Sequence, residues 1–124
     1  MKKALVVGGN SGIGLALTLK LLDEKYEHVY IVGKDEPMES DVPEAYKECY
    51  KSKTSFKRIN LIAEQYDIFD EINDIDTLVI TAGFGRVAPF EDLAEAEITN
   101  LIKCNELGVI RIVKKYSFRL YIFL

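Results

Sequence analysis

Three glycines in the stretch VVGGNSGIGLALTLKLL, Gly8, Gly12 and Gly14, stand where a valine-rich run gives way to a leucine-rich one. Glycine adopts backbone angles closed to other residues and puts no side chain between main-chain N–H groups and a ligand, so such a loop lets several amides approach an anion together. A helix starting near Ile13 adds its unpaired N–H groups and the positive end of its dipole. The chemistry predicted for Gly8, Asn10, Ser11, Gly12, Ile13 and Gly14 is therefore a seat for a pyrophosphate, with Gly14 letting the helix lie close to the sheet. A tight strand-to-helix turn without a ligand would use glycines too, so the reading depends on the elements around the loop.

Those elements alternate. KALVVGG is a continuous apolar run of strand length ended by glycine, the pattern of a strand buried on both faces. From Ile13 the period changes: Ile13, Ala16, Leu17 and Leu21 fall on one helical stripe, with Lys20, Asp23, Glu24 and Lys25 polar. HVYIVG is a second strand, SFKRINL a third and DTLVITAG a fourth. Pro37 and Pro43 mark a loop before a helical stretch from Glu44 to Lys51, and IAEQYDIFDEI predicts a helix between strands three and four. The longest helical pattern runs from Glu91 to about Lys115, with Leu93, Ile98, Leu101, Ile102, Leu107, Ile110 and Val113 spaced as a buried stripe. The order implies right-handed crossovers and one α/β domain over residues 1–124, a Rossmann-like doubly wound parallel sheet of strand order 3-2-1-4. The reversal between strands one and four opens a crevice at their carboxyl ends, where both glycine-terminated loops lie.

Composition narrows the ligand. The chain has 124 residues, 48% hydrophobic and 29% charged, which is globular composition with room for a single core. Its net charge of −4 argues against nucleic acid as the main ligand. No apolar run approaches membrane-spanning length, and MKKALVVGG is interrupted too early for a secretory signal, so a cytoplasmic protein is expected. Cys49, Cys104 and the lone His28 have no metal-ligand spacing; the cysteines are expected to be free thiols and no metal is expected. Lys47, Lys51, Lys53, Lys57 and Arg58 cluster in one segment, which is expected to be a solvated surface.

The glycine loop resembles that of the short-chain dehydrogenases/reductases, T-G-x-x-x-G-x-G, with Val7 in the threonine's place. LVITAG is similar to the family's L-V-N-N-A-G: Ala82 and Gly83 match, while Ile80 and Thr81 replace both asparagines. KCNELGVIRIVK resembles the helix that carries the family's catalytic-site asparagine, matched by Asn105, and GRVAPFEDL is also family-like; the likeness extends to about Lys115. The resemblance implies a dinucleotide cofactor, with Asn60 and Leu61 beside the adenine and Thr81, Ala82 and Gly83 lining the floor towards the ribose. Lys34 stands where an acid would favour NAD, although Asp35 follows, so NADP(H) is expected over NAD(H). For Asn105 two readings stay open: the family's catalytic role, or an asparagine at a helix break before Gly108.

The resemblance also implies a tyrosine, a lysine four residues later that lowers its pKa, and a serine. The only Tyr-x-x-x-Lys spacing is Tyr30 to Lys34, which along a strand leaves the two groups roughly 13 Å apart at about 3.3 Å per residue. Ser117 sits too early, and the chain closes on the aromatic YSFRLYIFL, read as a fifth strand, a helix extension or an aberrant end. The expected function is the NAD(P)(H)-binding half of a short-chain oxidoreductase, whose reaction is hydride transfer between nicotinamide and a carbonyl or alcohol, inactive alone. The alternatives are a non-catalytic Rossmann-like interaction protein that self-associates through its sheet edge and apolar tail, or a product truncated relative to the family. A homo-oligomer is expected, with neither membrane nor nucleic-acid partner.

Overall fold

Ala4, Leu5, Val6 and Val7 are completely buried, because the strand they form, β1 (Lys3–Val7), has strands on both edges and packed layers on both faces. The computed structural model describes residues 2–9, 12–81 and 89–116, and the backbone of 121–123. After β1 come α1 (Gly12–Asp23), β2 (His28–Gly33), α2 (Lys47–Lys53), β3 (Thr54–Arg58), β4 (Thr77–Ile80), α3 (Glu95–Ile102), α4 (Gly108–Tyr116) and β5 (Tyr121–Phe123). The sheet order is β3-β2-β1-β4-β5 and every pairing is parallel. The expected 3-2-1-4 order is therefore observed, and residues 121–123 add the fifth strand beside β4. Among the described residues no helix is long and apolar enough to cross a membrane.

Alternation along the strands divides the core. On one face Ala4, Val6, Val29, Ile31 and Val79 pack against Leu22 and Tyr26 at the end of α1. On the other, Leu5, Val7, Val32, Leu78 and Ile80 meet Phe69, Ile72 and Ile75 and, from α4, Ile112 and Tyr116. Polar side chains tie down the amino-terminal end of the sheet: the Tyr26 and Thr77 hydroxyls lie 2.6 Å apart in the interior, and the Lys3 N–H donates to Asp76 Oδ2 at 2.9 Å. The carboxyl end is left to the loops.

Three helical expectations are corrected. In α1 the buried face is Gly14, Leu15, Thr18 and Leu22, whereas Ile13 is 74% exposed and Leu17 lies at the surface. The close approach of Gly14 to the sheet, described below, fixes the helix phase more strongly than the count of apolar residues does. Between β3 and β4 there is no continuous helix but a turn at 61–64 and a short 3₁₀ segment at Asp67–Glu71. Asn60 Oδ1 accepts the Ala63 N–H at 3.2 Å and Glu64 takes a left-handed φ of 55°, a local arrangement that an α-helix cannot incorporate. β3 correspondingly stops at Arg58, so Asn60 and Leu61 lie in the connection after it.

The stretch predicted as one helix from Glu91 to about Lys115 is broken by a π turn at Lys103–Leu107 between α3 and α4. Each extra residue in a turn advances the helical face, so the stripe drawn at a constant 3.6-residue period does not hold across it. Ile102 and Ile110 are exposed, and the buried residues of α4 are Gly108, Ile112 and Tyr116.

Candidate functional site at the glycine loop

Where β1 ends, Gly8 continues the ladder for one residue, its N–H donating to Val32 O at 2.7 Å, and then turns away at a φ of 93°. That left-handed angle suits glycine. Gly9 is buried, and a Cβ there would lie 2.9 Å from Val6 Cγ1 and 3.1 Å from both Ile31 Cγ2 and Thr18 Oγ1. Gly12 opens α1 at a φ of 54° with open space around it, so its requirement is conformational. Gly14 is the opposite case: its angle is ordinary, but a Cβ would lie 2.0 Å from Gly8 O and 2.7 Å from Thr81 Oγ1. The helix thus lies on the backbone of the strand it follows, at a distance open only to glycine.

Two hydroxyls hold this approach in place. Thr81, just past β4, shares its hydroxyl proton between Gly8 O at 3.2 Å and Val7 O at 3.3 Å, and its N–H donates to Val7 O at 2.8 Å. Inside α1, the Thr18 hydroxyl donates to Gly14 O at 2.9 Å. Fixing the Gly8 carbonyl towards Thr81 fixes its peptide plane, and the Gly9 N–H, trans to that carbonyl, points the other way. Thr81 thus ties the end of β4 to the start of the loop through its hydroxyl. No acidic residue occupies the first turn of α1, so no carboxylate of that turn offsets the positive end of the helix dipole.

The structure brings Gly8, Gly12, Ile13, Gly14 and Thr81 together at the carboxyl end of β1 and β4; Asn10, Ser11, Ala82 and Gly83 lie outside the described residues. Lys34 is exposed immediately after β2. Asn60 is exposed, but Leu61 turns into the core, its Cδ1 3.3 Å from where a Gly108 Cβ would be, so only its main chain can face a ligand. Asn105 is exposed within the π turn, a kind of helix irregularity found often at functional sites. Its neighbour Cys104 is half-buried, and that burial pushes the thiol pKa up, away from nucleophilic use. Tyr30 sits half-buried within β2 and Lys34 lies beyond its end, so the two are not juxtaposed as a catalytic pair would be.

Sequence reasoning passed over Gly9 and Thr18. The signals were present as the second glycine of a doublet and a threonine four residues after Gly14 in an otherwise apolar helix. Among the described residues no group of three or more His, Cys, Asp or Glu side chains is placed to hold a metal ion. A separate cavity of about 560 Å³ lies between α2 and the middle of β2 and β3, lined by Ile31, Met38, Val42, Tyr50 and Phe56 among others.

Comparison with known proteins agrees with this geometry. The sequence profile described as short chain dehydrogenase matches residues 2–120. The chain is 28% identical over 129 residues to retinol dehydrogenase 8 of Homo sapiens, covering 91% of this chain and 38% of that protein. It is 27% identical over 112 residues to the uncharacterized oxidoreductase YvrD of Bacillus subtilis, covering 89% of this chain and 43% of that one. In fold it is similar to a short chain dehydrogenase family protein from Francisella tularensis, with a TM-score of 0.77, 22% identity and coverage of 97% of this chain and 47% of that one. A short chain dehydrogenase from Leptospira borgpetersenii solved with bound NAD+ gives a TM-score of 0.72 at 22% identity, covering 94% of this chain and 44% of the other. The chain spans less than half the length of each of these relatives. With a parallel sheet in the order 3-2-1-4, a helix seated on the first strand through Gly14, and a profile match over nearly its whole length, the chain belongs to the short chain dehydrogenase family.

Proposed function

We propose that the crevice at the carboxyl ends of β1 and β4 binds a nicotinamide dinucleotide, NADP(H) in preference to NAD(H). The observation that carries this reading is the contact of Gly14 with Gly8 O, which seats the start of α1 where its free N–H groups meet the loop. Gly8, Asn10, Ser11, Gly12, Ile13 and Gly14 hold the pyrophosphate. Lys34 meets a 2′-phosphate, Asn60 and the main chain of Leu61 border the adenine, and Thr81, Ala82 and Gly83 floor the ribose. When bound, the nicotinamide supplies hydride exchange with a carbonyl or alcohol. These residues contribute binding and orientation, and Asn105, on the π turn, takes the catalytic-site position that the family resemblance implies. Because the only Tyr-x-x-x-Lys spacing runs along β2, the 124 residues alone bind cofactor without turning it over.

Titration with NADPH and NADH, followed by the change in nicotinamide fluorescence, tests the reading. NADPH is expected to bind the more tightly, and Lys34→Asp to weaken it about tenfold or more while leaving NADH equal or better. No saturable binding of either dinucleotide at millimolar concentration would end the proposal.

A second reading is self-association: the β4 edge expected to mediate it is covered by β5, and what favours it instead is the set of apolar side chains left at the surface of the α3–α4 side. Ile102 and Ile110 are exposed there, and Phe90, in the short turn before α3, is 80% exposed. Such a set of side chains is more often covered than bare. Sedimentation equilibrium is expected to give the mass of a dimer or larger species, and a monomer at all concentrations would remove this reading.

A further inference from the structure

The basic cluster at residues 47–58 does not stay together in the fold. Lys47 pairs with Glu44 at 3.2 Å, Lys57 pairs across the connection with Glu71 at 3.9 Å, and Lys51 and Lys53 lie on α2. Arg58 alone is carried to the carboxyl end of the sheet, as the last residue of β3. There it pairs in register with Gly33, and the Ile59 N–H donates to Gly33 O at 2.9 Å, so Lys34 and Arg58 stand on adjoining strand ends.

Register also fixes which way Arg58 faces. Paired residues in a parallel sheet share a face, and Ile31 with its partner Phe56 pack on the α1 side. Two residues on, Gly33 and Arg58 face that same side. The row continues into β1, because the Gly8 N–H donates to Val32 O and so carries the β1–β2 ladder on to Gly8 beside Gly33. Across the carboxyl end of β1, β2 and β3 the row therefore reads Gly8, Gly33, Arg58. Its first two members have no side chain, so Arg58 is the first residue of the row to carry one. Two strand spacings, about 10 Å, separate β1 from β3, within reach of an adenosine ribose extending from the loop and an arginine reaching back.

We infer that Arg58 is a specificity-determining residue of the cofactor site, its guanidinium forming with the Lys34 ammonium a two-cation clamp on the 2′-phosphate of NADP(H). The inference rests on the dinucleotide reading above and adds to it a contact from β3. A guanidinium presents paired N–H donors to a phosphate where an ammonium acts as a point charge, so the two side chains have separate tasks: Arg58 orients the phosphate and Lys34 neutralises it. The bare glycines between them and the loop leave room for the ribose. NAD(H), with a hydroxyl in place of the phosphate, gains nothing from Arg58.

The test is titration of wild type, Arg58→Gln, Arg58→Lys and Lys34→Gln with NADPH, NADH, 2′,5′-ADP and 5′-AMP. Arg58→Gln is expected to raise the Kd for NADPH and 2′,5′-ADP about tenfold and to change those for NADH and 5′-AMP by less than twofold; Arg58→Lys should recover part of the loss. Three results would overturn the inference: NADPH bound equally by wild type and Arg58→Gln, all four ligands weakened in parallel, or a wild type that binds NADH more tightly than NADPH. In each of these the dinucleotide site itself survives. If wild type binds neither NADPH nor NADH, the dinucleotide reading fails and the clamp with it.

Discussion

Gly14→Ala is expected to abolish measurable dinucleotide binding and to destabilise the fold by about 3 kcal/mol, the upper end of what overpacking ordinarily costs. The added methyl would sit 2.0 Å from Gly8 O, and a backbone oxygen cannot rotate out of the way as a side chain can. Relief requires α1 to lift off β1. That motion would separate Thr81 Oγ1 from Gly8 O, now 3.2 Å apart, and turn the loop amides away from their common focus. Gly12 supplies the internal control. No atom lies within 4 Å of a Cβ at Gly12, so an alanine there meets only the left-handed φ of 54°, at roughly 1 kcal/mol. Urea unfolding with cofactor titration of the folded protein checks the contrast, and equal losses at the two positions would contradict the close-approach account.

Phe69→Ala is expected to cost about 3–5 kcal/mol, the range for deleting a buried aromatic ring, a large part of the 5–15 kcal/mol that a domain ordinarily has. Phe69 is fully buried between the sheet and α4, edge-to-face with Tyr116 at a centroid separation of 6.2 Å. The Tyr116 hydroxyl shares its proton between Phe69 O at 3.1 Å and Ile72 O at 2.7 Å, so the ring also anchors the 3₁₀ segment to α4. Burial, with the Asp70 carboxylate nearby, pushes the Tyr116 pKa well up, so this anchor keeps its proton through ordinary pH. The substitution should lower the urea midpoint sharply while leaving cofactor affinity of the folded fraction unchanged, since Phe69 packs on the face of the sheet opposite α1. A parallel loss of affinity would mean that the two are coupled.

The strands were legible because a parallel strand buried on both faces is written as an uninterrupted apolar run, and KALVV and TLVI are such runs. Their order followed from alternation with helices. Helix phase was less legible. In α1 a Gly-to-backbone contact decides which residues face inward, and Ile13 and Leu17 are apolar residues that it leaves outside. At Lys103–Leu107 a π turn moves the face, and nothing in a periodicity count announces one. At the site, the three motif glycines were legible by type and spacing, but their reasons differ: angle at Gly8 and Gly12, contact at Gly14. Leu61 could be placed near the adenine by position, yet the inward turn of its side chain depends on Gly108, far along the chain.

The packing around Gly9 constrains anyone who would re-engineer this protein. A methyl at that position meets side chains from β1, β2 and α1 within 3.1 Å, and at Gly14 the obstacle is main chain. Neither floor position can be diversified without dismantling the layer beneath. Libraries aimed at altered coenzyme use should therefore randomise the periphery, starting with the exposed Lys34 and Arg58, and leave the glycines fixed.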